Sequence, residues 1–451
     1  MRRCLTSITL AVGIFCLLPN QASAWTCMAA GSGGRTATGS TILPIVEPKI
    51  LTWSLGVQHQ IGTNSSVEVR YLGTRGLELP IQGRMNTQTG FSAGLSPLPT
   101  FLNSSDIPAT VTGGPRLSDW DTFEANANDC PTTGPSPFIH GADGFCSLVT
   151  GFPPRATSTY HGVSVDFNHR VGHGLTLRAN YTFSKNVDTA TNELFSTRVD
   201  PRRAQDWQNV NQDRGLSSLD VPHKFALSWV YELPKLHSAH SFLNGLANGW
   251  QYSGTFLAFS GQPITIINGS DANGNFDNAG DRPVFNPAGV GNTASDIGLV
   301  CAGPGGATST TATDPACAFS NINLDDSTVV GYYALDPTAK YVAAGLGAVS
   351  TLGRNTFRSP GVNVWDMGVA KYIHFTERYS LQLGVQALNI FNHRNFSLAQ
   401  PSVFEPLVNN ALSTSYNNIN AFFASGNTQF LNSHQFSGGA RNMQLLVKFI
   451  F

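Results

Sequence analysis

Apolar residues recur at every second position in about nine separate stretches of this chain, and the last stretch runs to the final residue. Leu175, Leu177, Ala179, Tyr181 and Phe183 alternate with Thr176, Arg178, Asn180, Thr182 and Ser184. Successive side chains of a strand point to opposite faces, so this spacing makes a ribbon apolar on one side and polar on the other. Just upstream, Val163, Val165 and Phe167 alternate with Ser164, Asp166 and Asn168, and Val171-Gly172-His173-Gly174 reads as the tight turn between the two ribbons. The same period runs through Leu51 to Val57, Val67 to Tyr71, Phe225 to Tyr231, Trp250 to Ala258, Trp365 to Val369, Tyr379 to Ala387 and Met443 to Phe451. No helical repeat or heptad competes with it.

The connections narrow the choice of all-β architecture. Those at 63–66, 171–174 and 375–377 are tight, 233–248 is intermediate, and 74–156, 187–221, 261–360 and 395–438 are long. A compact soluble domain rarely carries several loops longer than about 15 residues. Short turns at one rim, long loops at the other, and strands of about ten residues are expected of an antiparallel meander in an outer-membrane β-barrel. Arg70, Asp166 and Arg178 then face a polar lumen. Trp53, Trp229, Trp250 and Trp365 fall near strand ends, where aromatic girdles meet the membrane interface. A secreted β-sandwich or propeller would explain the alternation but not the asymmetry of the loops.

Composition agrees. Only 12% of residues are charged, about half the share usual in soluble proteins. The formal net charge of −1 provides no polycationic surface, which argues against nucleic acid as a partner. Residues 1–24 read as a signal peptide: Arg2 and Arg3 precede an apolar core from Ile8 to Leu18, and Ala22-Ser23-Ala24 is a small-residue cleavage pattern. A flexible lead-in over 25–47 follows, and 48–451 is the expected barrel region. Export makes disulfides available, and Cys130 with Cys146 and Cys301 with Cys317 are equally spaced in loop sequence. Two local disulfides are therefore expected; a zinc site would want CxxC spacing or a nearby His pair.

Few residues suggest chemistry. There is no HExxH, Walker loop, strand-borne GxGxxG or strand-to-helix GxSxG elbow, so no enzyme activity is expected and no catalytic residue is assigned. Asp271, Asn273, Asn275, Asp277 and Asp281 place oxygen-bearing side chains around Gly274, a pattern open to two readings. It could hold calcium, which takes six to eight oxygens, although Arg282 stands where an EF-hand has its bidentate Glu. The reading favoured here is a turn-rich loop whose Asp and Asn bond their own backbone. Trp120 and Trp207, in the long loops, are candidates for ligand contact.

Several segments resemble TonB-dependent outer-membrane receptors of the Oar-like type. They are Pro48-Lys49-Ile50-Leu51-Thr52-Trp53-Ser54-Leu55-Gly56-Val57-Gln58, Val69-Arg70-Tyr71-Leu72-Gly73-Thr74-Arg75-Gly76 and Asn180-Tyr181-Thr182-Phe183-Ser184-Lys185. Asp220-Val221-Pro222-His223-Lys224-Phe225, Leu388-Asn389-Ile390-Phe391-Asn392-His393 and the ending from Ala440 to Phe451 complete the set in the family's order. The resemblance implies the C-terminal part of a receptor barrel of about 22 strands, in the outer membrane of a Gram-negative-type bacterium. It implies an unidentified ligand taken up or bound by the long outer loops, and the TonB complex as partner if a plug is supplied elsewhere, since none is expected before Pro48. A surface-binding, adhesin-like barrel without transport is the alternative. The expected partners are then outer-membrane lipid and the barrel-assembly machinery, with Phe451 as the assembly signal. About nine strands are too few and too odd in number for a self-contained bacterial barrel. The expected sheet is curved and open between its first and last strands.

Overall fold

The computed structural model describes residues 46–129, 135–139, 148–170, 174–190, 203–236, 241–268, 270–277, 280–291, 293–318, 326–376, 378–393, 395 and 440–451, with strand pieces at 38–40 and 412–413. The leader, most of the lead-in, Cys130, Cys146 and residues 171–173 of one turn lie outside the described residues.

Nine strands form one antiparallel meander: β1 (Lys49–Ile61), β2 (Ser65–Pro80), β3 (Pro154–Arg170), β4 (Leu175–Asp188), β5 (His223–Glu232), β6 (Trp250–Phe259), β7 (Val362–His374), β8 (Ser380–Leu388) and β9 (Asn442–Ile450). Gly215–Leu216 adds a short tenth segment beside β4. Each strand pairs with its neighbours in sequence, so β1 and β9 are the two ends of the sheet. Among the described residues they do not pair with each other, and the sheet is open, as the strand count suggests.

Register carries the alternation across the sheet. Phe225 stands opposite Tyr181 on one side and Ala258 on the other, while Ser228 stands between Arg178 and Thr255. One face is therefore predominantly apolar. On it Leu55, Val57, Val163, Phe183, Val385, Leu445 and Val447 are all exposed. A contiguous apolar surface of this extent is not left in water by a stable protein, and lipid is the solvent that fits it. Aromatic rings cluster on the same face: Phe256 stacks on Trp365 at 4.0 Å, and Trp229 meets Trp365 at 6.3 Å.

The protein's close-packed apolar core lies in the connections instead. The largest fully buried side chains are Trp120, Tyr332, Phe123, Ile81, Leu98, Ile264, Ile266, Ile267, Leu299, Val300 and Val329, and none belongs to a meander strand. A sheet with lipid on one face and water on the other has no interior of its own, so it is the long connections that make one. Three of them fold together into a cap at the long-loop rim. Helix α1 (Leu117–Asp129) and a small sheet ordered Thr308–Thr310, Ile297–Ala302, Val329–Ala334 and Thr100–Phe101 build it. The opposite rim carries the short turns and helix α2 (Ser241–Ala247).

Candidate functional site: the polar concave face and its cap

The polar face of the meander collects its charges in rows. Asn168, Arg178, Ser228, Thr255 and Asp366 are cross-strand neighbours along one row, and Glu68, Asp166 and Asn180 lie along the next. A hollow of about 530 Å³ opens there, lined by Asp166, Arg178, Asn180, Ser228, Thr255 and Asp366 among others. Arg178 Nη2 is 3.8 Å from Asp166 Oδ1, and Arg70 pairs with Glu68. Arg178 is well exposed, so this pair holds little fold energy and its groups remain available to a polar solute. Asp366 Oδ1 accepts a hydrogen bond from Asn389 N at 2.8 Å, which aims the carboxylate.

Ion pairs stitch the connections of the cap to one another and to the strand ends. Arg354 pairs with Asp188 at the end of β4, Arg358 with Asp220 just before β5, and Arg203 with Asp277. Arg282 Nη1 is 2.7 Å from Asp213 Oδ1, a contact of charge without hydrogen-bond alignment. All four pairs join the connection around 189–222 to that around 260–361, except that Asp188 sits at the strand end itself. Such pairs are costly to bury, and once buried they are costly to break. Isolated Arg and Asp residues in loops of so uncharged a chain were a signal available in the sequence. Sequence alone does not pair them, because their partners lie some 70 to 170 positions away.

Two of the receptor-like motifs are turns that clip strand ends, one of them at this junction. In Asp220-Val221-Pro222-His223, Asp220 Oδ1 accepts from Asn186 N at 2.6 Å, Val221 O accepts from Ser184 Oγ at 2.8 Å, and His223 Nδ1 lies 2.8 Å from Tyr181 Oη. In Leu388-Asn389-Ile390-Phe391-Asn392-His393, Asn389 and Asn392 both have positive φ, and the Asn389 side chain bonds both backbone groups of His393. Asparagine tolerates that left-handed backbone better than most side chains, which accounts for its use in the turn.

The loop at 271–281 is brought together, but not around a cation. Asp271 Oδ1 accepts from the backbone N–H of Asn273, Gly274 and Asn275, and its Oδ2 accepts from Phe276 N. Asn273 and Asn275 accept from the backbone two residues on, and Asp277 gives both oxygens to Arg203. Asp281 accepts from Ala272 N and the Asn273 amide. These bonds follow the self-bonded-turn reading of the loop: its oxygens are turned onto backbone N–H donors and onto the Arg203 guanidinium. Among the described residues no group of three His, Cys, Asp or Glu converges to hold a metal.

The two loop tryptophans need correction as ligand-contact candidates. Trp120 is 0% exposed, its indole donates to Ser96 O at 3.1 Å, and Gly90 and Gly347 lie flat against its ring. Trp207 is buried over Gly83, with the Arg155 guanidinium 4.8 Å above the ring. Their size made them cap core. The structure joins Cys301 to Cys317 by a disulfide, with Cα atoms 6.0 Å apart. Phe451 ends the chain with an exposed side chain on the lipid-facing register, its ring 6.3 Å from that of Phe449.

Within the cap, carboxylates crowd at α1. Burial pushes Glu124 up to about 7, assisted by Asp271 and Asp121, and pushes Asp121 up to about 6, assisted by Asp326. Burial raises Asp271 as well, and raises Asp281 further, with the charge of Asp271 adding to it.

The sequence matches the family described as outer membrane beta barrel domain over residues 9–444. No curated protein sequence matches it. Among solved structures, the outer membrane transporter YddB from Escherichia coli is 8% identical at a TM-score of 0.32, the match covering 79% of this chain and 31% of that one. FpvA of P. aeruginosa, in complex with pyoverdine, is 7% identical at 0.31, covering 77% and 24%. The ferric citrate transporter FecA is 11% identical at 0.28, covering 77% and 27%. The chain thus spans about a third or less of the length of the transporters it matches.

Proposed function

The chain belongs to the outer membrane β-barrel family, and from that premise we propose that it forms part of a TonB-dependent receptor or transporter for a polar ligand. Its location is the outer membrane, which sets aside a secreted soluble protein. One observation carries the proposal: a charged concave face ends at an ordered, ion-pair-stitched cap at the long-loop rim. A structural barrel has no need of a hollow that sets Asp166, Arg178 and Asp366 among apolar Leu227, Phe256 and Val364. The ligand class that fits is a polar solute able to exchange hydrogen bonds with carboxylates, a guanidinium, hydroxyls and amides. An adhesin-like barrel is the second reading, favoured by the packing of the cap, which presents a preformed surface.

Uptake separates the two. Cells expressing the protein would be given a panel of isotope-labelled iron–siderophore complexes and oligosaccharides, with and without a protonophore. Protein-dependent accumulation that collapses with the protonophore is the expected result. Surface binding of a panel member that the protonophore leaves unchanged, with no internal label, would overturn transport in favour of the adhesin.

A further inference from the structure

Helix α2 stands at the short-turn rim, on the connection from β5 to β6. Backbone bonds fix that rim: Glu232 N donates to Gly174 O at 2.9 Å, and Tyr372 N donates to Gly249 O at 2.7 Å. The connection does not hang loose below it. Leu236 N donates to Asn248 Oδ1 at 2.6 Å, and Asn248 Nδ2 returns a bond to Leu236 O at 2.9 Å, which closes the excursion at its neck.

The helix is then tied to one particular face of the sheet. Its last carbonyls need donors from outside the helix. Lys371 Nζ supplies them, to Gly245 O at 2.7 Å, Leu246 O at 3.0 Å and Asn248 O, while the Trp250 indole donates to Leu246 O at 2.8 Å. Lys371 and Trp250 are cross-strand partners on the same register as Tyr252, Val369, Leu383 and Val447, which is the apolar, outward face. The Lys371 ammonium also lies 5.2 Å from the Trp250 ring. A lysine on a lipid-facing row is thus consumed by the helix end, and the helix is docked outside the sheet and not under the lumen.

What α2 presents is apolar. Phe242 is 81% exposed, Leu246 59% and Leu243 45%, and Leu233 and Leu236 are exposed beside them. Positions 242, 243 and 246 share one helical face. That face continues the lipid-facing band at its edge.

We propose that α2 is an interfacial anchor, seated with Phe242, Leu243 and Leu246 in the phospholipid leaflet at the short-turn rim. The occupant follows from continuity: the same lipid that covers Tyr252, Val369 and Leu383 meets the helix where the strands end. A short amphipathic helix at this level buries its apolar side about 5–10 Å into the boundary between headgroups and acyl chains. The inference rests on the outer-membrane placement of the sheet.

The test uses photo-crosslinking of the full chain, reconstituted into phosphatidylethanolamine–phosphatidylglycerol vesicles. Phe242→p-benzoylphenylalanine places the probe on α2, Leu445→p-benzoylphenylalanine places it in the lipid band, and Thr63→p-benzoylphenylalanine places it at a short-turn tip. Phe242 has little packing to lose, and heat-modifiable migration checks each variant's fold. The expected result is phospholipid adducts at 242 with a yield near that at 445 and roughly tenfold above that at 63. Adducts at 242 to a second copy of the chain, or a yield as low as at 63, would overturn the anchor while 445 still labels. Failure at both 242 and 445 would remove the membrane placement together with the anchor.

Discussion

Replacing Arg354 by methionine removes the guanidinium that holds two connections to one strand end. Arg354 Nη2 donates to Asp188 O at 2.7 Å and to the Asp188 carboxylate, and its Nε donates to Asp213 O at 3.0 Å. Both charged side chains are at most 5% exposed. The substitution keeps the side-chain length but takes the Arg354 guanidinium away from the buried Asp188 carboxylate. Breaking such a pair costs about 3–5 kcal/mol. At 1.4 kcal/mol per factor of ten, opening of the cap becomes roughly two to four orders of magnitude more frequent. Hydrogen exchange in detergent micelles reads this directly. Amides of Ile297–Ala302 and Val329–Ala334 are expected to lose protection by that factor, while those of Lys49–Ile61 keep theirs. Adding Asp188→Asn removes the stranded charge and is expected to restore most of the loss, because the desolvated ion and not the missing contact dominates it. A single variant within about fivefold of wild type would refute the stitching role, since that is under about 1 kcal/mol. Uniform loss across cap and β1 would refute the separation of cap from sheet.

Four further outcomes are expected. Cys301→Ser with Cys317→Ser releases a sixteen-residue closure and should lower the urea midpoint of cap opening by an amount worth about 3 kcal/mol, read as Trp120 exposure by fluorescence quenching; no change would mean the small sheet alone sets the local structure. Glu124, raised to about 7 in the folded protein from an ordinary 4.5, binds its proton more tightly folded than unfolded, so the cap should weaken as pH rises from about 4.5 through 7, and Glu124→Gln should flatten that urea-midpoint profile. Gly249 has φ +79° and a side chain there would meet Tyr372 O at 2.4 Å, so Gly249→Ala should cost at least about 1 kcal/mol in urea unfolding and loosen the α2 rim in hydrogen exchange. Deletion of Phe451, whose exposed ring ends the lipid-facing row, should lower outer-membrane levels of the protein in fractionated cells; unchanged levels would make it one more lipid contact.

The meander was legible in the sequence because its physics is local. Period two along Leu175–Phe183 fixes which face each residue takes, and pairing with neighbours in sequence leaves little else to decide. All nine strands and the open order follow from that pattern and from the lengths of the connections. The cap was not legible because its contacts are remote: Asp188 meets Arg354, and Thr100–Phe101 pairs with residues 332–333. A large aromatic residue in a loop gives the same sequence signal whether it seeks a ligand or fills a core, and Trp120 and Trp207 fill a core. At 271–281 the sequence favoured self-bonded turns over calcium, and it could not show that Arg203, arriving from another connection, takes both oxygens of Asp277. The motif Asp220 to Phe225 was recognisable as a receptor-like segment, but its work as a clip between β4, β5 and the cap needed coordinates.

The central claim is that one face of the meander meets lipid and the other a watery lumen. Spin labels placed one at a time on cysteines at 176–182 of β4, in a background without other free thiols and in lipid vesicles, test it most directly. Labels at 177, 179 and 181 are expected to collide preferentially with dissolved oxygen, and those at 176, 178, 180 and 182 with a water-soluble nickel chelate. Collision rates without that two-residue alternation, or chelate access at every position, would contradict a membrane-embedded sheet.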